Sequence, residues 1–361
     1  MPFFKSSPIE LKLYFLTSIL IVMRLSWCLA SSFPELLSEA SLCEAVNLDG
    51  VWYPDYQAPF SGTLELYVTL TMVALKTRRV FVGSMVTDVL RRHPMVTAHA
   101  FASLSYVAPR RIVLGLGAGA GTSHFSYGIK LDDLATRLKE GINVIKFLWE
   151  STPEKPANFK GKHFSLEKAG SPLKPAGDVP IYVASYGPKM IEITAELADG
   201  WIPESHTPRT YRVTLDKIYS LMKKYGRKAE ELEPCLAAIF YPFEPDAESY
   251  KRILNAAKHY LATYPDIQWV AGYGQNHPGF RTQQLMAKPK LWDELASQVP
   301  DNLADSTIIY GKIEECVEKI ARFRDAGCRH MILEPYWIEK VKLKVAIEIA
   351  GNKIKPSLKN L

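Results

Sequence analysis

The chain has 361 residues, 47% hydrophobic and 23% charged, with a formal net charge of +6. That length suits one large α/β barrel or two ordinary domains, with enough apolar residues for a sizeable core. The excess charge is mild and its arginine pairs (Arg78-Arg79, Arg91-Arg92, Arg110-Arg111) are scattered, so nucleic acid is not indicated as a partner, while an acidic ligand such as a phosphorylated cofactor stays compatible.

The apolar run "LKLYFLTSILIVM" (11–23), with Lys5 upstream and "CLASS" downstream, has the look of a secretory signal. It is short for a membrane span, which wants about 20 apolar residues, and no stable membrane insertion is expected. Cleavage after Ala30 or Ser31 would remove "LSWCLA" (25–30), which reads as the first strand. Residues 1–23 are therefore read as an N-terminal extension, either a mis-assigned start ahead of Met23 or a dispensable segment, in preference to an export signal. Residues 24–361 are read as the barrel.

Short apolar runs then alternate with stretches of helical period. "PELLSEASLCEAV" (34–46) is helical, "DGVWYPD" (49–55) a second strand, "LELYVTLTMVALKT" (64–77) a helix and "VFVGSMVT" (80–87) a third strand. Pro94 opens a helix as its first residue. "RIVLGLGAG" (111–119) is the fourth strand. A helix from about Leu131 places Leu134, Leu138, Ile142, Ile145 and Trp149 on one face, with Asp132 and Asp133 in its first turn. Residues 151–178, rich in Pro, Gly and Lys, break the rhythm as an insertion with a hairpin-like "GKHFSLE". "PIYVAS" (180–185) and "GWIPES" (200–205) are strands five and six, each followed by a helix. "PCLAAIFYPF" (234–243) is strand seven. A long, mostly helical and aromatic-rich region (246–300) follows it. "KIEECVEKIARFRDAG" ends at Gly327 as a C′ glycine, "CRHMILEPYW" (328–337) is strand eight, and a final helix closes the chain.

Eight strands with intervening helices and no break in composition predict an α/β fold, a (β/α)8 TIM barrel with insertions after strands four and seven. A doubly wound sheet is the alternative. The five cysteines (Cys28, Cys43, Cys235, Cys316, Cys328) are odd in number and widely spaced, without a CxxC pair. They read as free thiols in a reducing compartment, hence a cytoplasmic protein, and no metal site is indicated.

The glycine run "LGLGAGAG" invites comparison with a dinucleotide fingerprint. From Gly115 the third glycine position is Ala120, and from Gly117 it is Thr122. No helix opens at once, and no acid ends a following strand some 20 residues on, because Asp132 and Asp133 begin a helix. The run reads better as a glycine-rich barrel rim, where bare backbone at a strand's C-terminal end lets a flat ring or a phosphate approach. Gly187-Pro188 opens a helix directly after a strand. Free N–H groups there favour an anion, with Lys189 beside them. His93 is expected to be buried or to cap a helix. Glu204 points to the mouth, where a surface carboxylate is the plain alternative to a substrate contact, and Tyr56 is as readily a packing aromatic as a donor.

Three segments together, "VTDVLRRHPMVTAHAFASLSYVAPRRIVLGLGAG", "PIYVASYGPKMIEITAELADGWIP" and "DGVWYPDY", resemble the luciferase-like superfamily of flavin and deazaflavin oxidoreductases. Within it the chain looks most like deazaflavin (coenzyme F420)-dependent methylenetetrahydromethanopterin reductases. The resemblance implies a cofactor across the C-terminal mouth, with Asp55 near its ring. It implies a bulged third strand at Ser84, Met85, Val86 and Thr87 with a non-prolyl cis peptide. Gly117, Ala118 and Gly119 would contact the cofactor, and Ala184, Ser185, Tyr186, Gly187 and Pro188 would hold its ribityl-phosphate chain. Asp55, Tyr56 and Glu204 are the candidate catalytic residues. Sugar-phosphate dehydrogenases of the family carry a His after the strand-two acid and a Glu after the strand-four G-x-G. Here those positions are Tyr56 and Ala120, which argues against glucose-6-phosphate oxidation. Strand one also lacks a carboxylate expected of a methanopterin reductase. The implied activity is hydride transfer between coenzyme F420 and a small organic acceptor in a homo-oligomer. An FMN-dependent two-component monooxygenase and a non-catalytic flavin-binding protein are the alternatives.

Overall fold

The computed structural model describes residues 23–57, 62–119, 122–264, 267–268, 271–272 and 289–359. Its centre is a closed parallel barrel. The strands are β1 (Arg24–Cys28), β2 (Gly50–Tyr53), β3 (Phe81–Ser84) with β4 (Thr87–Asp88), β5 (Ile112–Gly117), β8 (Ile181–Val183), β9 (Gly200–Trp201), β10 (Glu233–Tyr241) and β12 (His330–Glu334). Each pairs with the next, and β12 pairs with β1 to close the ring. The expected third strand is thus one strand interrupted at Met85–Val86, both halves of which pair with β5. Because β1 is bonded to neighbours on both sides, a chain cut after Ala30 or Ser31 would lose the strand that closes the barrel.

Strands buried on both faces read as continuous apolar runs, and alternation sorts their side chains into two layers. Leu25, Trp27, Leu114, Leu116, Leu236 and Leu333 face outward into the layer under the helices. Cys28, Trp52, Val113, Tyr182, Ile202, Ala237 and Ile332 face inward and fill the barrel. Trp52 and Tyr182 stack there, with ring centroids 6.0 Å apart. Their bulk explains two inward glycines. A Cβ at Gly83 would sit 2.4 Å from the Trp52 ring, and one at Gly200 would sit 2.4 Å from the Tyr182 ring.

The outer helices follow in order as α1 (Glu35–Ala45), α2 (Leu66–Lys76), α3 (Pro94–Val107), the short α4 (Thr122–Phe125), α5 (Leu134–Glu150), α6 (Pro188–Leu197), α7 (Pro208–Lys224), α8 (Ala247–Thr263), α9 (Pro289–Gln298), α10 (Asp301–Asp305), α11 (Ile313–Asp325), α12 (Lys340–Ile349) and α13 (Lys355–Ser357). Gly327, at φ +100°, terminates α11 as expected. The insertion after strand four is the antiparallel hairpin β6 (Ala157–Lys160) and β7 (Ser165–Ala169). The insertion after strand seven contains α8, α9, α10 and the short strand β11 (Ile309–Tyr310), which pairs with the end of β10.

One local expectation is corrected. Helix α5 starts at Leu134, so Asp132 and Asp133 precede its first turn. Asp133 is the N-cap residue, at φ +47°, and its carboxylate is spent on Thr136, Lys162 and His163. Asp133 ties the hairpin to the helix start, while Asp132 pairs with Arg137 of α5. Among the described residues, no helix is long and apolar enough to cross a membrane.

Candidate active site

The C-terminal ends of the strands meet at one mouth, where barrels of this kind keep their chemistry. Asp55 lies just beyond β2 and is buried. Its Oδ2 accepts bonds from Thr87 Oγ1 (2.6 Å) and Arg92 Nη1 (2.6 Å), and lies 3.0 Å from Arg91 Nη2. Arg91 also binds Asp88 at 2.6 Å, and Asp88 in turn meets buried His124 at 3.1 Å. Burial works against the charge on Asp88, yet His124 and Arg91 hold its carboxyl well below the ordinary range. Arg92 continues the chain to Glu65 (2.5 Å) and lies over the Tyr67 ring. Asp55 is therefore the hub of an ion network that fastens the ends of β2 and β4 together. The sequence reading found Asp55 and Thr87 but treated Arg91 and Arg92 as scattered charge. Their position, in "TDVLRRHP" directly after a barrel strand, was the available signal. His93 is exposed and caps α3, accepting the Met95 N–H through Nδ1 at 3.2 Å.

The break between β3 and β4 is a non-prolyl cis peptide, Met85–Val86, at the place the resemblance implied. Ser84 Oγ is buried and stitches the break to β5. It donates to the Gly115 carbonyl and accepts the Gly115 N–H, both at 2.9 Å. The glycines of β5 belong to this join. A Cβ at Gly115 would fall 1.9 Å from the Ser84 carbonyl oxygen, and one at Gly117 would fall 2.9 Å from Val86 Cγ2. Gly119, at φ +89°, lies against His124, with Ala118 between the two glycines. The space these glycines leave is thus taken by strand three and His124. That corrects the simpler reading in which they were bare only to let a ring approach.

Beyond β8, Ala184 faces Gly117 across the rim. Ser185 is buried and spends its hydroxyl on Thr194 at 2.7 Å, so that side chain is turned away from any ligand. Gly187 is the N-cap of α6 and Pro188 its first residue, with no side chain closing the helix end. The backbone N–H groups of the first turn are left for an external acceptor. Tyr186 lies in the same loop, between β8 and α6. Its ring stacks on Tyr264 at 3.8 Å, and its hydroxyl accepts the Glu204 N–H at 2.8 Å.

Glu204, on the β9 side, accepts a short bond from the Tyr264 hydroxyl. Opposite it stands a residue the sequence reading missed, Glu334, the last residue of β12. It is buried, and its Oε2 has no partner among the described residues. Burial raises the Glu204 carboxyl, and burial together with the neighbouring Glu204 pushes Glu334 well above the usual carboxylate range. Tyr260 of α8 lies within electrostatic range of both glutamates, Cys28 and Tyr56, and Tyr336 bonds Cys28 Sγ at 2.7 Å. The first part of the aromatic region after strand seven reaches the mouth, where Tyr264 meets Tyr186 and Glu204 and Tyr260 lies near Glu334. Ala120 lies outside the described residues. A carboxylate ending a barrel strand in "ILEP" was the signal for Glu334.

A family model described as luciferase-like monooxygenase matches residues 18–330. The chain belongs to the luciferase-like monooxygenase family. This luciferase-like barrel is 25% identical over 330 residues to a methylenetetrahydromethanopterin reductase of Archaeoglobus fulgidus, covering 90% of this chain and 96% of the relative. It is 29% identical over 338 residues to an F420-dependent glucose-6-phosphate dehydrogenase of Nakamurella multipartita, covering 91% and 93%. Among solved structures, an F420-dependent secondary alcohol dehydrogenase bound to an F420-acetone adduct superposes with a TM-score of 0.75 at 21% identity, covering 93% of this chain and 99% of that one. This luciferase-like chain is an enzyme by kinship, and its mouth is where the family's barrel carries side chains suited to chemistry.

Proposed function

We infer that this enzyme transfers a hydride between a deazaflavin, coenzyme F420, and a small organic acceptor. The observation that carries the reading is one mouth holding three features: an apolar rim (Val86, Gly117, Ala184), the uncapped start of α6 at Gly187, and two enclosed carboxyls whose pKa burial raises. The donor set fits such a cofactor. The first turn of α6 and Lys189 suit its phosphate, the rim suits a flat ring, and the orphaned Glu334 Oε2 awaits a polar partner. When bound, a deazaflavin supplies a carbon that gives or takes a hydride.

The chain's own residues do the rest. Asp55, Thr87, Arg91 and Arg92 hold the rim of β2 and β4 in place. Tyr186, Tyr260 and Tyr264 exclude water. Glu204 and Glu334 hold the proton that a carbonyl or imine acceptor gains as it is reduced, with Tyr264 and Tyr56 beside them. Tyr56 and Ala120 replace the acid–base pair implied for sugar-phosphate dehydrogenases, so a one-carbon pterin, ketone or imine is favoured over glucose 6-phosphate. We read the enzyme as cytoplasmic, in keeping with five buried free cysteines, and as a homo-oligomer, for which exposed Val68, Leu75, Tyr106 and Val107 on α2 and α3 supply apolar surface.

Mixing the purified protein separately with coenzyme F420 and FMN, and following binding by fluorescence or calorimetry, tests the assignment. Deazaflavin binding with turnover on a carbonyl or imine panel is expected. FMN binding without deazaflavin affinity would overturn it. Substrate-dependent oxygen consumption with reduced FMN would then support the monooxygenase reading.

A further inference from the structure

The opposite end of the barrel holds a second constellation that hydride transfer does not use. Glu233 opens β10, Cys235 follows on the same inward face, and His330 opens β12 as the register partner of Cys235. One ligand atom from each of the three lies within 4.8 Å of the others. The far atom of each flanking ligand is already held. Glu233 Oε2 pairs with Arg24 at 2.6 Å, and His330 Nε2 bonds Ser26 Oγ at 2.7 Å on β1, the other side of β12. The remaining atoms, Glu233 Oε1 and His330 Nδ1, are buried without a partner among the described residues. The Cys235 thiol makes only a long contact of 3.8 Å to the Glu233 carbonyl.

We propose that Glu233, Cys235 and His330 form a binding site for a divalent transition metal of the zinc class. Ligand atoms from three residues gathered within 4.8 Å, with Glu233 and His330 each held by an outer partner, match the way metal ligands are oriented. Thiolate, imidazole and carboxylate together suit tetrahedral zinc. Zinc bonds of about 2.0–2.3 Å place ligand atoms roughly 3.3–3.8 Å apart, so the side chains must draw together by about an ångström. The thiol proton leaves to solvent, giving a thiolate and a carboxylate against the metal's two charges. A cavity of about 120 Å³, lined by Arg24, Phe81, Tyr182 and His330, lies on the His330 side of the cluster. The Trp52 ring lies 5.7 Å from His330 and, with Tyr182, fills the barrel above it, so the site is structural and separate from the mouth. No spacing motif announces it, because the ligands come from strands about 95 residues apart.

Chelator-treated full-length protein titrated with Co2+ tests this. One equivalent is expected to produce a thiolate-to-cobalt charge-transfer band, to be displaced by Zn2+, and to raise the Tm. Cys235→Ser should abolish the band, and Cys43→Ser, at a buried thiol outside the cluster, should keep it. Ser26→Ala should leave the band in place and weaken affinity about tenfold through loss of the His330 partner. Absence of the band in the native protein, or its survival in Cys235→Ser, overturns the site. Should Cys235→Ser fail to fold, undiminished cobalt affinity in both His330→Gln and Ser26→Ala overturns it equally.

Discussion

Asp55 was legible as an acid at the end of a barrel strand, but its work is set by residues up to 37 positions away. Removing its charge leaves Arg91 with Asp88 and Arg92 with Glu65, each still half-satisfied. Breaking one member of a buried ion network costs about 3–5 kcal/mol. The remaining partners place Asp55→Asn at the lower end, near 3 kcal/mol in urea unfolding, with weaker deazaflavin binding because the rim loosens. An unchanged unfolding midpoint would refute the hub. At Glu204, the Tyr264 hydroxyl lowers a carboxyl that burial raises. Tyr264→Phe removes only the lowering partner, so the Glu204 pKa rises further. A catalytic limb that depends on protonated Glu204 then moves to higher pH, which a kcat profile against pH reads directly. A limb that rises with pH and moves the same way would show that Glu204 works as a base, and a shift toward acid would show that the limb does not belong to Glu204.

The strand-three break and strand five form one unit, and the glycines of "LGLGAG" rank by what they touch. A methyl at Gly115 meets the backbone carbonyl of Ser84, which cannot turn aside, whereas one at Gly117 meets the tip of Val86. Overpacking costs about 1–3 kcal/mol where neighbours can adjust and more where they cannot. Gly115→Ala is therefore expected to unfold the protein at markedly lower denaturant. Gly117→Ala should be tolerated with reduced cofactor affinity, as Val86 is pushed into the mouth. Equal effects on stability would mean the join is softer than its distances imply. The barrel strands could be read because burial on both faces writes an apolar run for each, and helix starts could be read at Pro94 and Pro188 because proline fits a first turn. Local signals failed where the cause is distant. The start of α5 is set by hairpin residues that bind Asp133, and Ser84 and Ser185 are consumed by Gly115 and Thr194. Asp55 and Glu204 could be singled out because each follows a barrel strand that is legible in the sequence. Arg91, Arg92, Tyr264 and Glu334 were not found, because their roles depend on which strand ends become neighbours when the ring closes.

The whole barrel carries buried groups that titrate in opposite senses, and this shapes its stability against pH. His206 packs among Tyr186, Trp201 and Tyr211, and burial lowers its pKa from 6.5 to about 3. The unfolded chain therefore binds a proton below about pH 6.5 that the folded chain refuses, so stability falls with acid by about 1.4 kcal/mol per pH unit at most. Glu334 acts the other way. Its folded pKa lies well above 4.5, so the folded chain keeps a proton that the unfolded chain releases, and stability falls as pH rises from 4.5 through the folded value. Between those slopes the protein should show a stability maximum on the weakly acidic side of neutrality. His206→Phe keeps a ring in the aromatic cluster and removes the titration, so its Tm should fall less between pH 6.5 and 4 than that of the native chain. Glu334→Gln keeps the shape and removes the charge, so its Tm should exceed the native value at pH 8 and converge with it near pH 4.5. Thermal unfolding of the three proteins across that range decides the matter. A Glu334→Gln protein that loses stability at pH 8 would show that Glu334 is ionised and paired in the fold, and would take with it the proton reservoir on which the proposed hydride transfer draws.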